Sequence, residues 1–135
     1  MQLKKVDYQT LNSRQRENYN FHHIAALLAE YGFTCLRLSD DWQGADFIAI
    51  HIDGETDLKV QLKGRLVFMQ KYLGKSLYVC FPDGENWYLY PHDDFFEMVS
   101  QVTNIANTES WKAHGEYHFP HLSEQIKTLL ADYKL

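Results

Sequence analysis

The sequence predicts one α/β domain, a sheet flanked by helices, and three observations predict it. At 135 residues, 45% hydrophobic and 15% aromatic, the chain can build one good core and not two comfortable ones. A helical stripe near the N-terminus is followed by a series of short, strand-like apolar runs. Turn signals punctuate those runs, and helical patterns return only after them.

The elements follow in order. Residues 12–31 carry Phe21, Ile24, Leu27, Leu28 and Tyr31 at three- and four-residue steps, with Gly32 just past the end as a C-cap. Glu17 and Asn20 continue that stripe and are expected to face the sheet. Residues 33–38 read as a strand, and 39–44 as a polar turn delivering the chain into Asp46. Residues 46–52 and 57–63 read as a β-hairpin whose turn is centred on Gly54 and Glu55. If Asp53 pairs with Thr56, Asp46 lies opposite Lys63 and Ile48 opposite Gln61, so Asp46, Gln61 and Lys63 share one face.

Residues 65–75 mix Leu66, Val67, Phe68, Met69 and Tyr72 with Lys and Gln, a pattern compatible with loop, helical turn or strand extension. Residues 76–81 read as a buried strand, Pro82-Asp83-Gly84 as a turn, and Trp87-Tyr88-Leu89-Tyr90 as the returning partner. A helix is expected from Asp93 to about Val102, a polar connection over 103–115, and a closing amphipathic helix over 122–133 with Ile126, Leu129, Leu130 and Tyr133 on one face. The expected organisation is a single domain over 1–135, with a core of about 12–100 and a helical extension of about 101–135.

Composition bounds the function. No apolar run is long enough to cross a bilayer, and Met1-Gln2-Leu3-Lys4-Lys5 leads into polar residues rather than a signal-peptide core, so a cytoplasmic protein without membrane association is expected. Cys35 and Cys80 lie in apolar runs without metal-type spacing and read as buried, reduced thiols. A net charge of -5 argues against a protein that coats nucleic acid indiscriminately. The distribution is asymmetric, however: Lys59, Lys63, Arg65, Lys71 and Lys75 follow one another with no acid between them, and an acidic segment from Asp83 to Glu97 answers. Such asymmetry suits a cleft that contacts phosphates.

The Asp46, Gln61 and Lys63 constellation resembles the active-site pattern of the PD-(D/E)XK nuclease superfamily: an acid at a strand start, then Glu or Gln, any residue, and Lys on the next strand. The likeness spans residues 14–94. Ala45 stands where the name-giving proline would be, and Gln61 replaces the commoner glutamate; the superfamily tolerates both. The resemblance implies a restriction-endonuclease-like mixed central sheet flanked by helices, and a metal-dependent deoxyribonuclease acting on DNA. By motif position Asp46 is implied as metal ligand, Gln61 as second ligand, Leu62 as carbonyl donor and Lys63 as the group beside the attacking water. The implied cofactor is Mg²⁺, with Mn²⁺ as alternative.

Glu17 is the candidate auxiliary acid from the first helix, and Asp40 and Asp41 lie close in sequence to the site. Lys59, Arg65, Lys71 and Lys75 are the candidate phosphate contacts. The acid Asp46 and the hydrolysis chemistry fit together physically, since phosphodiester cleavage needs a hard cation and an aligned water. Gln61 keeps an oxygen donor while removing a unit of charge, which also leaves open a catalytically weak or inactive nuclease-fold module for nucleic acid or protein. An acidic protein-interaction domain presenting 83–97 is a further alternative, and a homo-oligomer is left open. His114, His118 and His121 are spaced loosely enough to fit an exposed loop better than zinc. His92 is read as a cap or rim contact, and the aromatic run 87–90 as core or base-stacking surface.

Overall fold

Asn12 starts the first helix. Its side chain accepts the Gln15 N–H while the Gln15 side chain accepts the Asn12 N–H, a reciprocal capping box. In the computed structural model, which describes residues 1–135, the helix that follows is α1 (Ser13–Ala29), and it buries Phe21, Ile24 and Leu28. The strands are β1 (Phe33–Trp42), β2 (Ala45–His51), β3 (Asp57–Leu62), β4 (Leu66–Met69), β5 (Leu77–Asp83), β6 (Asn86–Pro91) and β7 (Glu116–Phe119). The later helices are α2 (His92–Val102) and α3 (Glu124–Leu130).

Five strands form one sheet in the order β1-β2-β3-β5-β6. Only β3 and β5 run parallel, so the sheet is mixed, and helices flank it as the sequence led one to expect. Side-chain alternation splits the core between the two faces. Phe47, Ala49, Val60 and Cys80 pack under α1 with Phe21, Ile24 and Leu28. Val79, Phe81, Tyr88 and Tyr90 pack on the other side with Phe95 and Val99 of α2 and Ile126 and Leu130 of α3.

The connection from β3 to β5 carries β4, which leaves the sheet to pair with β7 in a two-stranded ribbon. All four β4 residues are buried, with Phe68 at 0% exposure against Tyr90, Phe95 and Phe119. Of the three readings open for 65–75, strand and helical turn are both found, since a 3₁₀ turn over Gln70–Tyr72 follows β4. The polar connection expected over 103–115 holds short helical turns anchored by the buried Ile105 and Trp111, and the C-terminal extension contributes a strand as well as a helix.

Two local expectations are corrected. Residues 39–42 are strand rather than turn: β1 continues through an irregularity between Arg37 and Trp42, and the turn is confined to Gln43 and Gly44. The hairpin register also differs. Asp53 does not pair with Thr56 in the ladder, because its carboxylate is spent inside the turn, accepting the Glu55 and Thr56 N–H groups and the Thr56 hydroxyl. His51 donates to the Thr56 carbonyl instead, Ile50 faces Asp57 and Ile48 faces Lys59. Asp46 therefore does not face Lys63, nor Ile48 Gln61. The slip is by two residues, which by itself leaves each side chain within the ladder on the face expected for it.

Candidate active site

The site begins where β2 and β3 part. Their ladder ends at Phe47 and Val60. Continued, it would take the Leu62 N–H to the Ala45 carbonyl. Leu62 N–H instead donates to Asp46 Oδ2 at 2.8 Å, and Ala45 turns to pair with Trp42 of β1. Beyond this point β3 follows β5: Leu62 registers with Cys80, and Lys63 N–H donates to the Cys80 carbonyl at 2.9 Å. The Asp46 carboxylate thus stands in for a strand at the mouth of a V.

The turn before Asp46 is fixed by backbone space. Gly44 has φ +87°, and a Cβ there would meet Leu77 Cδ1 at 2.7 Å, so the chain passes close under the Leu77 side chain of β5 in a conformation that suits glycine. That close pass aims β2 into the sheet with Ala45 buried and Asp46 half-buried.

Gln61 and Lys63 lie on the sheet face opposite α1, and Asp46 sits at the strand end between that face and a cleft against α1. Phe47 and Val60 bracket them on the α1 side, Gln61 registers with Val79 of the second core, and Lys63 Nζ lies 5.8 Å from the ring centre of Tyr72 in that core. Asp46 and Lys63 do not form a close ion pair; the chain's ion pairs all lie elsewhere. They act on each other through space. Burial pushes the Asp46 carboxyl above the usual carboxylate range, the Leu62 N–H and Lys63 pull it back, and Asp41 and Glu17 push it up again. Burial and neighbouring Lys71 bring the Lys63 ammonium down, against Asp46, Glu116 and Asp41. Tyr72 is pushed up by burial and by Asp46.

A cleft of about 450 Å³ opens on Asp46 and Leu62 between β1 and the first turns of α1. Glu17, Asp40 and Asp41 line it, as do Arg14 and Arg37. Gln61 and Lys63 sit beside this cleft rather than in its wall. None of Lys59, Arg65, Lys71 and Lys75 lines it: Lys59 Nζ lies 5.9 Å from the Trp42 ring, and Lys71 beside Tyr72 close to Lys63. The two arginines are the residues that sequence reasoning missed. Arg37 reaches the cleft because β1 runs on past Leu38, and it spans to Asn18 of α1 and the Phe21 ring. Its alternation with Leu36 and Leu38 was the available signal.

Asn20 does not join this cleft; it turns to the Tyr8 hydroxyl on the other flank of α1. His92 is neither cap nor rim. It is fully buried, accepts the Met69 N–H at Nε2 and so carries its proton on Nδ1, facing Asp93. No group of three or more His, Cys, Asp or Glu side chains is arranged to hold a metal, the His114, His118 and His121 segment included.

No family model matches this chain, and no curated protein matches its sequence. Among solved structures it is similar to the Holliday junction resolvase Hjc of Archaeoglobus fulgidus, at 19% identity and a TM-score of 0.42, over 52% of this chain and 74% of that one. A likeness this slight carries no argument about function.

Proposed function

We propose that this chain is a metal-dependent endonuclease that hydrolyses phosphodiester bonds in DNA, with Asp46, Gln61, Lys63 and Glu17 as its working residues. The observation that supports this reading is the parted β2–β3 pair: Asp46 holds the strand ends open through Leu62 N–H, and Gln61 and Lys63 flank that Leu62 on the facing strand.

The donor chemistry fits Mg²⁺. Asp46 keeps Oδ1 free of protein donors, and with the Gln61 amide oxygen and the Leu62 carbonyl it makes a set of hard oxygen ligands. Glu17 adds a second carboxylate within electrostatic reach. When bound, such a cation neutralises charge developing on the phosphate. Lys63 orients the attacking water, and because burial and Lys71 destabilise its ammonium form, it yields a proton more readily than a free lysine. Arg14 and Arg37 offer guanidinium groups to a phosphate entering the cleft.

A second reading has its own support: with Gln61 in place of a carboxylate at the second ligand position, the same fold suits a DNA-binding module that has lost catalysis. Incubation with plasmid and branched DNA in Mg²⁺, Mn²⁺ or EDTA separates the two. The nuclease reading expects metal-dependent cleavage that falls at least about 100-fold in both Asp46→Ala and Lys63→Ala. Binding without cleavage in every metal favours the second reading, and equal cleavage by Lys63→Ala removes that residue from the mechanism.

A further inference from the structure

On the flank of α1 away from the Asp46 cleft lies a second groove, of about 680 Å³, that the mechanism above does not use. Its walls are aromatic. Tyr8 and Tyr19 meet edge to face at 5.2 Å, Tyr19 stacks on His23 at 4.3 Å, and Trp87 closes the opposite side from β6. Tyr19 is 41% exposed, with His23 stacked on one face of its ring. Gln9 and Asn20 also line it, the Asn20 amide N–H donating to the Tyr8 hydroxyl.

We infer that this groove stacks unpaired nucleobases. A ligand matched to it has a flat π-face for the rings and polar edges for the two amides, which describes a base and not an aliphatic chain. Charge agrees: Glu85 is the single acid lining the groove, and the Arg16 guanidinium lies over the Tyr8 ring at 5.2 Å, whereas the Asp46 cleft is lined by four carboxylates. Position agrees too. Gly64, the residue after Lys63, opens on the groove with nothing within 4 Å of where a Cβ would be. The Lys63 side chain itself turns to Tyr72 on the other face, so the groove adjoins the proposed site through the backbone that follows β3. The inference rests on the proposed function for its choice of nucleic acid, and it narrows the substrate to DNA with unpaired bases.

The test measures binding of a fluorescent oligothymidine in EDTA, where no cleavage occurs, with three competitors: duplex DNA, an abasic strand of equal length and free thymidine monophosphate. Tyr19→Leu removes a ring from an exposed position, and Gly64→Leu fills the groove at a residue of ordinary backbone conformation. Each is expected to weaken oligothymidine binding at least about 5-fold, the loss of one base–aromatic stack, while duplex binding is unchanged. Tyr19→Phe, which restores the π-face, must restore binding. The abasic strand should compete poorly; free mononucleotide that competes as well as the strand would assign the groove to a nucleotide ligand instead of DNA.

Abasic competition equal to oligothymidine, wild-type affinity in both leucine variants, or no rescue by Tyr19→Phe would overturn the inference. Intact metal-dependent cleavage with base-independent binding removes the groove alone. Base-dependent binding without any cleavage removes the nuclease alone.

Discussion

At the scale of single residues, Asp46 is held at a cost. Its folded carboxyl titrates above the ordinary range chiefly because it is buried, so the charged form is disfavoured in the native state relative to the unfolded chain. The sign follows: stability from this group is present below the unfolded pKa and is lost as pH rises through the folded one. Asp46→Asn removes the charge and keeps an oxygen for the Leu62 N–H. We expect it to abolish metal-dependent cleavage while raising Tm at neutral pH, a combination read by a cleavage assay beside a thermal melt. A lowered Tm would mean that the carboxylate is a structural anchor instead. His92 works in the opposite direction. Burial lowers its pKa, so the unfolded chain takes up a proton first, and stability present above the unfolded value of about 6.5 is lost as pH falls toward the folded value. Protonation would place a second N–H against the Met69 N–H that Nε2 now accepts. Melts from about pH 7.5 down to 5 should show an acid limb that flattens in His92→Gln; an unchanged limb would move the linkage to another group.

At the scale of elements, the turn into β2 decides whether the site exists. Gly44→Ala meets both a left-handed backbone and the Leu77 side chain at 2.7 Å. The Leu77 side chain must turn away and the residue must hold a left-handed backbone, so we expect a loss of about 1 kcal/mol or more, visible in urea unfolding, and a fall in cleavage larger than stability alone explains. Wild-type activity in that variant would free Asp46 from the geometry of its turn. This turn also shows what a sequence does and does not carry. The hydrophobic period located α1, both arms of the hairpin and the β5–β6 pair, because a buried face on each element imposes it. The common face of Gln61 and Lys63 on β3 was legible for the same reason. The register was not: it depends on where Asp53 spends its carboxylate, a local choice that strand patterning does not encode. The pairing of β4 with β7 was equally hidden, since it joins segments far apart in sequence and β7 carries Glu116, Tyr117, His118 and Phe119 with little apolar signal. Arg14 and Arg37 entered the cleft only through tertiary packing of α1 on β1.

At the scale of the whole molecule, the proposed activity requires a chain of net charge -5 to meet DNA with a local field, not a global one. Two basic groups compete for that role. Lys71 and Lys75 lie on the exposed connection between β4 and β5, with Lys71 close enough to Lys63 to lower its pKa, while Arg14 and Arg37 line the cleft beside Asp46. The lysines are exposed, free of ion pairs and able to reach backbone phosphates at little conformational cost. Arg37 is already engaged by Asn18 and Phe21, which suits it to a single positioned phosphate at the scissile bond. The two roles predict different salt behaviour. Each phosphate contact releases condensed counterions and adds about 0.9 to the slope of log affinity against log salt on duplex DNA. Lys71→Ala with Lys75→Ala should therefore lower that slope by about 2 and weaken duplex binding without changing the metal requirement of cleavage. Arg37→Ala should lower the slope by about 1 at most and act chiefly on the rate of cleavage at saturating DNA. Affinity measured against salt in EDTA, with cleavage measured separately in Mg²⁺, resolves the two contributions. An unchanged slope in the double lysine variant would move the duplex to another face of the molecule.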